Sequence, residues 1–124
     1  MTMTGTYRAA IDHAVAELRQ GRLAAQRWPD GQLVFYPRGI RLGHGNETPD
    51  WETVSTGTVV ASTTVHEHSH PEYQAETPFT LLIVDAEGAR IMCRLAPDRA
   101  VPAVGDAVSL SVVSGARGAV IVAS

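Results

Sequence analysis

The sequence predicts a mainly β protein in which a five-stranded barrel follows an N-terminal helix and a short irregular segment. Helical spacing of apolar residues is confined to the start of the 124-residue chain, and β-branched runs fill its second half. Glycine-containing turns at residues 85–88 and 114–118 each separate two such runs. We therefore divide the chain into residues 1–21, 22–56 and 57–124.

An amphipathic helix is expected at residues 6–20. Apolar residues recur there at three- and four-residue steps and so share one face: Tyr7, Ala10, Ile11, Ala14, Val15 and Leu18. Gly21 fits the end of this helix, because glycine accepts the left-handed conformation that often follows the last turn. Residues 1–5 are expected to fray.

Residues 22–56 show little regular pattern. Residues 32–36 favour a short strand, and residues 39–50 contain three glycines, one proline and one asparagine, which is typical of a loop. This segment has little to bury on its own. We therefore expect it to lean on the barrel or on another chain.

Every regular element after residue 56 is expected to be a strand. The expected strands are residues 57–68, 79–84, 89–95, 108–113 and 119–122, which are rich in valine, isoleucine and threonine. In the turn at residues 85–88, Gly88 occupies a position where a hairpin needs a left-handed backbone. Five strands of this length fit a small closed or partly closed barrel.

The composition excludes lysine-based catalysis and disfavours one class of partner. A net charge of −3, without a basic patch and stacking aromatics, disfavours a nucleic-acid partner. All ten basic residues are arginine, which excludes a Schiff base or a lysine general base.

The sequence also predicts a cytoplasmic protein. Cys93 is the only cysteine, so no internal disulfide forms and a reducing compartment is suitable. No apolar run approaches the roughly 20 residues of a membrane span, and no signal-peptide pattern opens the sequence. We therefore expect no membrane partner.

Several segments, in their order and spacing, resemble one known family. Residues 33–45 (LVFYPRGIRLGHG) hold an aromatic-Pro-Arg stretch, residues 51–59 resemble the step from a ribbon into a first barrel strand, and residues 70–73 with 77–79 resemble the loop before the second strand. The family is the OB-fold, acyl-CoA-associated group called domain of unknown function 35. Its members run as helix, rubredoxin-like zinc ribbon and OB barrel, which is the order expected here.

The resemblance aligns the zinc-ligand positions of the ribbon with Trp28, Gly31, Arg41 and His44. Only His44 can bind a metal, whereas a structural zinc needs four cysteine or histidine ligands. We therefore expect a degenerate ribbon with no structural zinc and no other cofactor. Aromatic packing is expected in place of the metal.

The resemblance implies an auxiliary, non-catalytic role. Similar proteins are partners of thiolase-like or ketoacyl-synthase-like enzymes and often form heterotetramers with them. The large subunit would perform acyl transfer, Claisen or aldol chemistry on an acyl-CoA or acyl-enzyme. A CoA thioester would then be a substrate of the complex, and this chain would shape the substrate channel.

Candidate channel residues lie in the loop at residues 69–78 and in the ribbon. Tyr73 and Phe79 offer apolar walls, and His70 offers a hydrogen-bonding tip. Phe79 also suits the barrel core, which is the more ordinary role for a strand phenylalanine. Arg38 has a guanidinium suited to a phosphate or carboxylate, or to a salt bridge at the rim of an interface.

Four of the seven aromatic residues fall in the ribbon segment: Trp28, Phe35, Tyr36 and Trp51. Aromatic side chains are preferred anchors of protein interfaces. They can equally form a small core in place of zinc. We therefore take them as candidates for a partner interface, for internal packing, or for both roles in different rings.

An alternative function rests on His66, His68 and His70. Side chains two residues apart on a strand share a face, and three histidines can hold a catalytic zinc. Three ligands along a straight strand span roughly 13 Å, however, so they meet at one ion only if the chain folds back at His70. The alternative is thus a stand-alone small-molecule or metal-binding barrel. Cys93 alternates with Ile91 and Leu95, which favours a buried side chain over a nucleophile.

Overall fold

The computed structural model describes residues 3–115 and 118–124. Helix α1 spans Met3–Arg19, so residues 3–5, which we expected to fray, are helical. The apolar periodicity that begins at Tyr7 marks the face of this helix rather than its first turn. Gly21 follows with a positive φ of 80°, as the sequence predicted.

The ribbon segment forms a three-stranded antiparallel sheet of β1 (Ala24–Arg27), β2 (Leu33–Val34) and β3 (Asp50–Thr53), in the order β2-β1-β3. The sequence predicted only a strand near β2. Strand β1 reads Ala-Ala-Gln-Arg and lacks both β-branched residues and alternation, so its conformation is imposed by pairing on both sides.

The barrel consists of β4 (Thr56–Val65), β5 (Phe79–Ala86), β6 (Ala89–Leu95), β7 (Ala107–Gly115) and β8 (Gly118–Ala123). These strands close in the order β4-β5-β6-β8-β7, and the only parallel pair among them is β6 with β8. This confirms the predicted helix and five-stranded barrel. The predicted turn between β7 and β8 falls on residues 116–117, outside the described residues.

Strand β4 ends three residues earlier than predicted. It stops at Val65, and after a short irregular stretch the chain enters helix α2 (Pro71–Gln74), with His70 as its N-cap. Proline at the first helical position and a side-chain acceptor just before it both favour a helix start. The chain therefore turns away where the sequence suggested a continuous strand to His68.

The barrel interior and the ribbon share one apolar core. Alternate residues of β5 and β6 point inward, and Cys93 is buried among them, as expected. Leu23, Ala25 and Leu33 of the ribbon segment belong to the same cluster. The ribbon thus packs against the barrel.

The entry of β4 into the barrel requires a glycine. A Cβ atom on Gly57 would lie 2.2 Å from Val84 Cγ1 and 3.0 Å from the Asp85 carbonyl oxygen. Val84 is fully buried and has little room to move. Strands β4 and β5 therefore approach as closely as they do only because residue 57 lacks a side chain.

Within the described part of the chain, neither helix is long and apolar enough to cross a membrane.

Candidate functional site

The four positions aligned with zinc ligands form two facing turns. The Gly31 N–H donates to the Trp28 carbonyl at 2.8 Å, and the His44 N–H donates to the Arg41 carbonyl at 3.2 Å. Gly31 has a positive φ of 92°, which glycine adopts without strain. The ribbon thus keeps its turns with other residues at the ligand positions.

An aromatic–arginine contact links these turns. The Trp28 ring is 1% exposed, and the Arg41 guanidinium lies over it at 5.2 Å from the ring centroid. Arg41 also donates two hydrogen bonds to Asp30, from Nη1 to Oδ1 at 3.0 Å and from Nη2 to Oδ2 at 2.7 Å. These bonds, with a further one from the Gln32 N–H, hold the pKa of Asp30 well below its usual range.

Because Trp28 is buried, its ring is not available to a partner at the surface. This corrects its place among the candidate interface residues and assigns it to internal packing. Its indole Nε1 is buried, and none of the described residues accepts a hydrogen bond from it.

Arg27 ties the ribbon to the barrel. Its guanidinium pairs with Glu52 of β3 at 2.9 Å and with Glu87 of the β5–β6 turn at 3.0 Å, and its Nη1 donates to the Gly31 carbonyl at 2.8 Å. The hydrogen bond to Glu52 is the main cause of a raised pKa for Arg27. One side chain therefore joins two ribbon elements to the barrel.

Gln26 positions the loop that carries Arg38. This buried side chain donates from Nε2 to the Arg38 carbonyl and accepts the Arg38 N–H at Oε1, both at 2.8 Å. The backbone of Arg38 is therefore held as in a strand pair, while its guanidinium is exposed. Arg38 is thus presented to solvent by a fixed loop.

The other three ribbon aromatics occupy different environments. Phe35 is half-buried against the shared core. Trp51 is half-buried and stacks on His13 of α1, with ring centroids 4.3 Å apart. Tyr36 is 61% exposed and contacts Phe35 edge to face. Of the predicted interface residues, Tyr36 offers the most surface.

His70 and Tyr73 are brought together at α2. Tyr73 is half-buried, and its ring lies 4.9 Å from that of His68 and 5.9 Å from that of His70. Each histidine accepts a backbone N–H at Nδ1: His68 from His70 at 3.0 Å, and His70 from Glu72 at 3.3 Å. The three rings form a compact cluster at the end of the β4–β5 connection.

Phe79 does not fill the barrel core. It is half-buried at the start of β5, where the Arg94 guanidinium covers its ring at 4.4 Å and pairs with Glu76 at 2.6 Å. A shallow groove of about 450 Å³ lies beside it, with Pro78, Pro97 and Arg99 among its lining residues. Its lining combines apolar side chains with both arginines and acidic residues, Glu76 and Asp98 among them.

Arg38 lies on the ribbon, whereas the other predicted channel residues lie at the connection between β4 and β5. The ribbon contacts the barrel through Arg27 at the turn that follows Ala86, the last residue of β5. Phe79 is the first residue of β5, and the rise per residue along a strand puts it about 23 Å from Ala86. The Arg38 backbone is bonded to Gln26 of β1, whereas His70 and Tyr73 lie at α2 and Phe79 at the start of β5. The predicted residues thus form two separate regions.

The histidines do not form the metal site considered above. His66 and His68 are exposed beyond the end of β4. Within residues 3–115 and 118–124, no group of three histidine, cysteine or acidic side chains is arranged to hold a metal ion.

Cys93 is unsuited to nucleophilic catalysis. Its Sγ contacts the Leu82 carbonyl at 3.8 Å, and burial raises the pKa of the thiol to about 11. At neutral pH this side chain is a buried thiol.

Sequence reasoning missed Gln26, Asp30 and Arg94. Each acts through a partner that sequence spacing does not reveal, since Gln26 contacts residue 38 and Arg94 contacts residues 76 and 79. Asp30 could have been suspected from the sequence, because Arg41 occupies a position aligned with a zinc ligand and an arginine held there needs a negatively charged partner.

Together the closed barrel, the ribbon with intact turns and the helix define an OB-fold protein of the type called domain of unknown function 35. The profile of the family described as "ChsH2, C-terminal OB-fold domain" matches residues 51–113, half of the chain. The chain belongs to this family.

A solved structure agrees in fold. A chain of the "Ltp2-ChsH2(DUF35) aldolase" superposes with a TM-score of 0.71 at 24% sequence identity, covering 90% of this chain and 91% of that chain. No curated protein matches.

Proposed function

We propose that this chain is an auxiliary, non-catalytic subunit of a complex whose catalytic subunit is a thiolase-superfamily enzyme acting on an acyl-CoA or acyl-enzyme. The observation that carries the proposal is the likeness, over nine-tenths of both chains, to a chain of the Ltp2–ChsH2(DUF35) aldolase. The likeness includes more than the barrel, because the helix and ribbon are also needed to reach that coverage.

The chemistry of this chain supports a non-catalytic role. Cys93 is buried with a raised pKa, and the sequence contains no lysine. Nucleophilic attack on a thioester needs an activated nucleophile. In the proposed complex the large subunit supplies it.

The surface of the ribbon supports a protein partner. Between residues 36 and 42, three large apolar side chains are exposed: Tyr36, Ile40 and Leu42, the last at 92%. Exposed apolar residues concentrated in one segment are typical of an interaction site. We propose that Tyr36, Phe35 and Trp51 contribute to this interface, in a heterotetramer with two copies of each subunit.

The substrate channel is proposed to involve the α2 end of the barrel, where His70, Tyr73 and Phe79 lie near one strand connection. Arg38, at the ribbon, would contact an anionic group of the substrate or of the partner separately. The ribbon is proposed to need no zinc.

The test takes a thiolase-superfamily protein of the same organism as the candidate catalytic subunit and compares three preparations: that protein alone, this chain alone, and both together. Each preparation is given either a β-ketoacyl-CoA with free CoA, for thiolytic cleavage to two acyl-CoAs, or a β-hydroxyacyl-CoA, for retro-aldol cleavage to a shorter acyl-CoA and an aldehyde or ketone. The acyl-CoA products are measured by chromatography. The proposal expects no turnover by this chain alone and at least about 10-fold faster turnover by the pair than by the large protein alone. Turnover by this chain alone, or an equal rate with and without it, would overturn the proposal.

A further inference from the structure

The outer half of β4 presents a strand edge that the rest of the described chain leaves uncovered. β4 pairs with β7 only from Thr56 to Thr58. At Val59 the loop before β7 covers the edge: the Val59 N–H donates to the Asp106 carbonyl and the Val59 carbonyl accepts the Gly105 N–H, both at 2.9 Å. Beyond Val59, β4 pairs with β5 alone, and no backbone bond from residues 3–115 or 118–124 reaches its other side.

This edge carries none of the usual protection against strand pairing. Residues 60–65 read Val-Ala-Ser-Thr-Thr-Val, without charge or proline, and residues 61–64 are all exposed. Natural edge strands are commonly blocked by lysine, proline, a bulge or short length. Here the bulge lies between Val59 and Ala61, before the free segment begins. The remaining five residues are a regular template for another strand.

We infer that a second copy of this chain binds here, pairing β4 with β4 in antiparallel orientation across a twofold axis. The usable edge runs from Ala61, after the bulge, to Val65, where the strand ends, so its middle residue is Thr63. The twofold axis would run perpendicular to the sheet through Thr63. Each residue then pairs with a residue of the other copy whose side chain points to the same face of the sheet. Because the axis is twofold, the assembly is complete with two copies.

The uncharged edge favours an identical partner. Two copies of a charged strand would repel each other across the axis, whereas Thr63 faces only another threonine, and threonine pairs are favourable across strands. Ala61 and Thr63 pair with Ile83 and Leu81, on the face opposite buried Leu82 and Val84. The dimer would extend this outer face across both copies.

Exposed side chains at the end of the edge support the same contact. Val104, in the loop that covers Val59, is 72% exposed, and Val101 is also exposed. With the axis at Thr63, the segment after Val65 of one copy approaches this loop of the other. Val104 would then be covered by the dimer.

The inference goes beyond the proposed function and is tested separately from it. Sedimentation of the chain alone is compared with that of Thr63→Lys and Thr58→Lys. Thr58 is a matched control, because it is an exposed threonine of the same strand that is already paired on both sides, with Asp85 and Ala107. The chain and Thr58→Lys are expected to dimerise with a dissociation constant on the order of 10 µM, and Thr63→Lys at least about 10-fold more weakly, because two lysines meet at the axis.

Hydrogen exchange of the unmodified chain provides a test that needs no variant. Amides in residues 61–65 should exchange more slowly at high protein concentration than at low, while those of β6 stay constant. A monomer at every concentration with fast exchange in residues 61–65 would refute the inference, as would a Thr63→Lys variant that dimerises like the unmodified chain. Thr63→Lys should still co-elute with the thiolase-superfamily subunit, which separates this surface from the proposed interface.

Discussion

Trp28, Arg41 and Asp30 are the residues on which the ribbon depends most. A buried indole, an arginine over its face and a carboxylate that binds the arginine at two points connect the two turns. A cation–π contact contributes roughly 0.5–2 kcal/mol, whereas burial of a large ring contributes more. The ring is therefore the dominant part of this contact.

Trp28→Ala should destabilise the protein by about 3 kcal/mol or more, because it leaves a cavity and an arginine without its aromatic support. Trp28→Phe is the matched control, since it keeps a ring under Arg41 and removes the unpartnered indole N–H. Urea unfolding at pH 7 should show a much smaller loss for this variant. A loss below about 1 kcal/mol for Trp28→Ala would contradict this account of the ribbon. Trp51 is only half-buried, so a smaller effect is expected there.

The ion pair between Asp30 and Arg41 should make stability depend on acid pH. Hydrogen bonds from Arg41 depress the pKa of Asp30 in the folded state, so folding favours the ionised carboxylate. The stabilisation is present above the unfolded-state pKa of about 4 and is lost as pH falls toward the folded value. The melting temperature of the unmodified chain should thus fall more steeply below pH 4 than that of Asp30→Asn. Parallel curves would show that the pair contributes nothing.

Tyr36→Ala should weaken binding of the proposed thiolase-superfamily subunit by about 10-fold or more, the loss expected for an aromatic interface anchor. Tyr7→Ala is the control, because Tyr7 is a similarly exposed tyrosine on α1, outside the proposed interface. Titration calorimetry measures both affinities. Equal affinity for Tyr36→Ala and the unmodified chain would remove Tyr36 from the interface.

At the scale of elements, the ribbon is stabilised by its contacts with the barrel. Arg27 bridges to Glu52 and Glu87, and Leu33 packs into the shared core. These contacts join the ribbon to the barrel. Structural zinc can contribute on the order of 10 kcal/mol to a small zinc-centred module, so a ribbon that needs no zinc, as we propose, would depend on contacts of this kind.

Treatment with a chelator should therefore leave the melting temperature unchanged. The prediction follows from Trp28, Gly31 and Arg41 at three of the four ligand positions, which leaves His44, whose Nδ1 lies 3.2 Å from Glu47. Calorimetry before and after dialysis against EDTA measures the effect. A fall in melting temperature, reversed by zinc, would contradict it.

The barrel strands could be predicted from sequence, whereas the ribbon strands could not. β5 and β6 carry alternating apolar residues around a glycine turn, which is a local signal. β1 has no such signal and becomes a strand through β2 and β3. The end of β4 was misplaced because alternating histidines continue its pattern, although Pro71 and the His70 cap begin a helix.

The candidate site could be predicted only in part, for the same reason. His70 and Tyr73 are three residues apart on the chain and meet locally. Arg38 belongs to a different region, because Gln26 fixes its backbone from another strand. Long-range contacts of this kind leave no trace in residue spacing.

At the scale of the whole molecule, two surfaces of the described residues are available to other chains. The ribbon exposes Tyr36 and Leu42, and no described strand other than β5 pairs with the outer half of β4. The two surfaces lie on different elements. A complex can therefore use both at once.

The native mass of the co-expressed pair tests the central proposal most directly. Light scattering of this chain purified with the proposed thiolase-superfamily subunit should give one species containing two copies of each subunit. The mass should persist on dilution to about 1 µM, as expected for a stable complex. If the two proteins elute separately at their individual masses, even at about 100 µM each, the chain is not an auxiliary subunit of that enzyme.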